Sequence, residues 1–191
     1  MKKYRVVIIV SIIAALIVIY GYYLSANDKT TTTEQSNEDK EFSKILNRNP
    51  EANYPATPRE VVDYYSQLLS YLYSGNCSED MIEELGEKCR LLFDEELLEQ
   101  NPEQEYFENL KAEIKQYKEE KKTISTYILE KSGDVEYKTF QSHYYAFVEC
   151  AYYVKGEKNT SRTLETYTLR KDSEGKWKIL YWELTPIEED E

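Results

Sequence analysis

The chain has 191 residues, 41% hydrophobic and 31% charged, with a formal charge of −12. Residues 1–24 hold three bases and no acid, so residues 25–191 carry −15. That acidity excludes nucleic acid as a partner, because such binding relies on clustered Lys and Arg, and it keeps the acidic part from lying flat on anionic lipid.

In chain order, Val6 to Leu24 is an uncharged run, VVIIVSIIAALIVIYGYYL. About 20 such residues in a helix cross a bilayer core. Lys2, Lys3 and Arg5 precede the run and no base follows until Lys29. The positive-inside rule then leaves residues 1–5 in the cytoplasm and sends the C-terminal part outside the cell membrane in a single pass. Tyr4, Tyr20, Tyr22 and Tyr23 stand where interfacial aromatic belts occur. The rival is a cleaved signal peptide, which needs a shorter apolar region and a small-x-small cleavage site. Leu24-Ser25-Ala26 offers leucine in the first place, and Asn27 stands where a lipoprotein signal needs cysteine.

Residues 25–56, with NDKTTTTEQSNEDK, lack apolar periodicity and read as a flexible linker. The folded domain spans 57–185, and 186–191 form an acidic tail. A domain of this size buries about two thirds of its unfolded surface and needs no metal or disulfide to stand. Its cysteines, Cys77, Cys89 and Cys150, are odd in number and show no zinc-knuckle spacing. Cys77 and Cys89 lie about three helical turns apart, too far for a bridge unless the helix breaks at Gly86. All three are expected as free thiols, Cys150 in the core.

Thr57-Pro58-Arg59-Glu60 opens a helix with a capping box, and Val61, Val62, Tyr65, Leu68, Leu69 and Leu72 give it one apolar face ending at Gly75. A second helix follows Ser78, carrying Ile82, Leu85, Cys89 and Leu92. FDEELLEQN reads as a short helical turn. Asn101-Pro102 is expected to cap a third helix facing inward through Phe107, Leu110, Ile114 and Tyr117. The pattern then turns to strands at 124–129, 142–154, 163–169 and 177–184, joined by short turns, which implies an antiparallel meander. Helices first and strands after give an α+β domain with the helices on one face of the sheet. The acids concentrate in the helical half, from Glu79 to Glu120, where 15 stand against five bases. This acidic face is a solvated surface or a dock for a basic partner.

A one-sided sheet should alternate apolar with polar, and this one does not. In the long strand Tyr144, Ala146, Val148, Cys150 and Tyr152 share one face, while Tyr145, Phe147, Ala151 and Tyr153 share the other. In the last strand Trp177, Ile179 and Tyr181 oppose Leu180, Trp182 and Leu184. Either the sheet curls so that both faces are covered, or its outer face meets another molecule. Tyr145, Phe147, Tyr153 and Trp182 are therefore the candidate binding residues, for a protein, a peptide or a second copy of the chain.

Three helices followed by a long-stranded antiparallel sheet resemble the NTF2-like, or cystatin-like, cone superfamily. The segment LRKDSEGKWKILYWE, Leu169 to Glu183, resembles that fold's last hairpin. The layout from anchor through YPATPREVVDYY to that hairpin is similar to uncharacterised membrane-anchored families of Gram-positive bacteria. The resemblance implies a curved sheet closing on the helices and is silent on function, since this fold hosts enzymes, carriers and assembly scaffolds. Its isomerases place Asp, His or Tyr in the cone's cavity. The lone histidine, His143, is the one catalytic candidate here, weighed against a surface role at a strand end. Glu149, Glu165 and Glu183 read as solvent-facing strand positions.

No phosphate loop, GxSxG, HExxH or EF-hand register is present in the sequence, and no cofactor or metal is expected. The expected function is a non-enzymatic, membrane-anchored domain binding a protein or peptide, or scaffolding an assembly. The alternative is a small-molecule binder or isomerase-like enzyme using the cone cavity, which is expected to be filled or shallow.

Overall fold

The computed structural model describes residues 43, 45 and 47–186. The expected anchor at 6–24, most of the linker and residues 187–191 lie outside the described residues. Among the described residues, no helix is long and apolar enough to cross a membrane.

Four α-helices lie between residues 58 and 119: α1 (Pro58–Leu72), α2 (Glu79–Arg90), α3 (Glu95–Gln100) and α4 (Glu103–Glu119). Five strands follow: β1 (Thr123–Leu129), β2 (Glu136–Phe140), β3 (His143–Lys155), β4 (Thr160–Lys171) and β5 (Trp177–Leu184). All pair antiparallel in one sheet of order β1-β3-β4-β5. The thirteen-residue β3 is long enough to pair with β2 through its first part and β1 through its last. The α+β class expected from the sequence is present.

The caps explain why the helices start where they do. The Glu60 backbone N–H donates to Thr57 Oγ1 at 3.2 Å, and the Thr57 N–H donates back to the Glu60 carboxylate at 3.2 Å. Ser78 and Asp94 cap α2 and α3 in the same way, through the N–H groups of Met81 and Glu96. Asn101 does not cap α4. Its amide instead donates back to the Leu97 carbonyl at 3.0 Å and closes α3, leaving Pro102 to begin α4 without a side-chain cap. Gly75, at φ 85°, makes the left-handed turn after α1.

Helix α1 is the core's spine: Val61, Val62, Tyr64, Leu68 and Leu72 are wholly buried. It lies against the sheet, facing Val148 and Tyr152 of β3, Tyr167 and Leu169 of β4 and Ile179 of β5, all buried. Helix α2 continues straight through Gly86. A Cβ there would come within 2.5 Å of the Phe107 ring and 3.1 Å of Leu110, so glycine is what lets α2 and α4 touch. Cys77, Cys89 and Cys150 are all free thiols, with Cys89 and Cys150 buried.

The two-faced strands are reconciled by two extra residues. Leu169 pairs with Ile179, but Thr168 pairs with Tyr181, so Leu180 is a bulge. The bulge resets the alternation: Ile179 and Trp182 share the helix-facing side and Tyr181 turns outward, which corrects the expected grouping of Tyr181 with Ile179. Ser125 does the same in β1, so that Ile124 and Tyr127 both face inward.

Two further features differ from the sequence reading. Strand β2 was not expected; each of its residues is exposed, and its turn into β3 uses Gln141 and Ser142 at φ 48° and 68°. These are the paired left-handed residues of a two-residue hairpin, achieved here without the usual glycine. The end of the expected linker is held to the domain rather than free. The Tyr54 hydroxyl donates to the Trp177 carbonyl at 2.7 Å, and the Arg48 guanidinium sits 4.3 Å over the Tyr64 ring.

Candidate functional site

Between the helices and the inner face of the sheet lies a cavity of about 240 Å³. Helix α1 contributes Tyr65 and Leu69, Tyr73 follows as its C-cap, and α4 contributes Tyr106, Asn109, Leu110, Glu113 and Tyr117. The sheet supplies Ile124, Tyr152, Val154, Thr163, Glu165, Tyr167 and Trp182, and Asn101 also lines it. The sequence led to the expectation of a filled or shallow cone; the concavity here is small, with polar and aromatic walls.

The cavity exists because large side chains ring it without filling it. Tyr167 and Trp182 stack with centroids 5.9 Å apart, and Tyr65 approaches both edge-on or tilted at 5.8 Å. Tyr73 and Tyr117 meet at 4.6 Å across the α1–α4 side. Trp182 is 39% exposed, which places it at the mouth.

Glu165 is the half-buried acid of this wall. The Tyr167 hydroxyl donates to its carboxylate at 2.7 Å. Since a phenol has one proton, the Tyr152 hydroxyl, 2.9 Å from that of Tyr167, must donate to it in turn. Ser66 Oγ, at 2.6 Å, then donates to Tyr152, and the Cys150 thiol lies 3.5 Å from Ser66. The result is a buried one-way chain, Ser66 to Tyr152 to Tyr167 to Glu165, with every proton directed at the carboxylate. Chains of this kind polarise in series and strengthen each bond. Burial pushes the Glu165 carboxyl above the usual range, the Tyr167 hydrogen bond pulls it back, and the nearby Glu113 charge raises it further. Burial pushes the Cys150 thiol up to about 11, so it stays a neutral thiol. Burial, then the charge and hydrogen bond of Glu113, raise the Tyr73 phenol above its ordinary value.

Of the binding and catalytic candidates chosen from the sequence, Trp182 alone lines the cavity. Tyr145, Phe147 and Tyr153 lie half-buried on the opposite face of the sheet. Long side chains cover part of that face, as where Lys138 Nζ sits 4.8 Å over the Phe147 ring. His143 is exposed at the β2–β3 hairpin, its Nδ1 3.0 Å from the Gln141 carbonyl and its ring 6.4 Å from that of Tyr145. It lines no part of the cavity. Glu149 and Glu183 are exposed, as expected, but Glu165 is not solvent-facing: it stands in the inward row Thr163, Glu165, Tyr167, Leu169.

Two signals could have found the site. Glu165 is the one charge in that alternating row. Glu113 falls in the four-three-four spacing of Tyr106, Leu110, Glu113 and Tyr117, the stripe that faces the sheet. Among the described residues, no group of three His, Cys, Asp or Glu side chains could hold a metal ion.

A family model described as Domain of unknown function (DUF6715) matches residues 1–182, and the chain belongs to that family. No curated protein and no solved structure matches it.

Proposed function

We propose that this DUF6715 member is a non-enzymatic binding protein, an NTF2-like domain tethered outside the cell membrane by residues 6–24. The concave cavity is where it receives its ligand. The observation that carries this reading is the cavity itself, about 240 Å³ in volume with an aromatic mouth at Trp182 and a half-buried carboxylate inside. Ligand sites are concave with convergent polar groups, and this cavity is concave and lined by aromatic rings, amides and carboxylates. The hydroxyls behind Glu165 are committed to one another, which suits holding a ligand in a fixed orientation.

The test is a screen of small polar and aromatic compounds by ligand-observed NMR against the full chain in non-ionic detergent. Leu69→Trp fills the cavity from α1, and Tyr144→Ser alters a side chain remote from it. Binders lost in Leu69→Trp and kept in Tyr144→Ser support the proposal. Binders indifferent to Leu69→Trp, or a screen with no binder, would sink it. Protease added to intact cells should remove the domain if it lies outside; full protection would refute the topology.

A second reading, assembly through the sheet, is favoured by Tyr137, Phe140 and Tyr144, which are 57%, 63% and 59% exposed around the β2–β3 hairpin. It predicts a self-associating chain whose association is lost in Phe140→Ser. A monomer across the micromolar range would exclude pairing with a second copy.

A further inference from the structure

The cavity wall carries two carboxylates, Glu113 and Glu165, and among the described residues no lysine, arginine or histidine lines it. Both face the same cavity, Glu113 from α4 and Glu165 from β4. Two like charges at the edge of a poorly solvated site repel, and a cation placed between them relieves that repulsion while satisfying the carboxylate oxygens. Glu165 Oε2 already accepts from Tyr167, so the hydrogen-bond chain holds this carboxylate in place and leaves it further acceptor capacity.

The rest of the lining decides what kind of cation fits. Tyrosine and tryptophan rings dominate it, and aromatic faces attract ammonium groups and pack against aliphatic stems. A hard metal ion prefers six or more oxygen ligands, many of them carboxylate or carbonyl, which two separated carboxylates do not supply. The volume, about 240 Å³, falls below the roughly 300–1,000 Å³ typical of drug-sized ligand sites. It therefore takes one functional group on a short stem.

We propose that the cavity is a site for an alkylammonium group, its charged head set between Glu165 and Glu113 and its stem against Trp182 and Tyr106. The group is the head of a free amine or the side chain of a lysine in a peptide; both present the same chemistry. This inference rests on the reading of the cavity as a ligand site and specifies its ligand class.

The test is titration calorimetry of the full chain in non-ionic detergent at low salt. Its probes are n-butylammonium, n-butanol, butyrate, calcium chloride and an uncharged-ended tripeptide with a central lysine. The expected result is saturable binding of n-butylammonium, with n-butanol at least about tenfold weaker and butyrate inert, as loss of a charge-assisted hydrogen bond implies. Glu165→Gln keeps the shape and should weaken the ammonium by about tenfold or more; Glu113→Gln, at an exposed position where the fold is not at stake, should weaken it too. Tighter binding of the tripeptide than of n-butylammonium assigns the group to a lysine side chain, and the reverse assigns it to a free amine. If n-butanol matches n-butylammonium, if calcium binds in preference, or if both Gln variants bind unchanged, the proposal is overturned. Silence from all five probes also overturns it, while the ligand-site reading is decided separately by the broader compound screen and the Leu69→Trp comparison.

Discussion

The two ends of β3 are built from nearly the same letters and meet opposite fates. HYYAF opens the strand and CAYYV all but closes it, yet Tyr144 is 59% exposed while Tyr152, on the same face, is 2% exposed. Tyr144 pairs with Thr139 in a hairpin that no helix among the described residues covers; Tyr152 pairs with Tyr127 on one side and Thr163 on the other, beneath α1. Composition made both segments strands. Burial came from which neighbours the topology brought over them, and the cavity belongs wholly to the covered end.

That contrast can be broken or sharpened by substitution. The largest effect should come from Tyr152→Ala, which removes a buried ring and the middle of the hydroxyl chain. A loss of about 3–5 kcal/mol in urea unfolding is expected. Gly86→Val should cost about 1–3 kcal/mol by forcing α2 off Phe107 and Leu110, read as a lowered midpoint at unchanged slope. Tyr167→Phe leaves Glu165 without its donor and Tyr152 without an acceptor, for about 1–3 kcal/mol. It should also raise the Glu165 pKa further, which carbon-detected NMR of the carboxylate would show.

The pH dependence follows from the direction of the Glu165 shift. Its carboxyl is raised in the folded state, so the native protein binds the proton more tightly than the unfolded chain. This group's contribution is fully present below the ordinary glutamate range and is lost as pH rises through the folded value. Glu165→Gln should therefore be relatively more stable than the parent near neutral pH than at pH 4, and the difference in urea midpoint between the two proteins should grow across that window. A difference that stayed flat with pH would contradict the shift. The smallest effect belongs to the uncovered end: Tyr144→Ser should change stability by less than about 0.5 kcal/mol, and a larger loss would mean that this face is covered after all.

Much of this fold was legible in the sequence. The capping box at Thr57, the stripes of α1 and α2 and the long aromatic β3 follow from local rules, and each appears within a residue or two of its expected place. What escaped was what local rules do not carry. Strand β2 has no buried face and no glycine in its turn, so neither periodicity nor turn chemistry marked it. The bulges at Ser125 and Leu180 leave no composition signal, and reading β5 with strict alternation put Trp182 in company with Leu180 rather than Ile179. The candidate site was missed for a related reason. The lone histidine and the surplus aromatic face are the conspicuous features of the sequence, whereas the informative residues are two glutamates standing in otherwise inward-facing rows.

The bulges also bear on how this domain tolerates insertions and deletions. Leu180 is the residue in excess, so removing it would leave Ile179, Tyr181 and Trp182 in strict alternation, with Tyr181 still opposite Thr168 and Trp182 still opposite Tyr167. A loss of one codon at this point would thus regularise the ladder and keep the ring that guards the entrance.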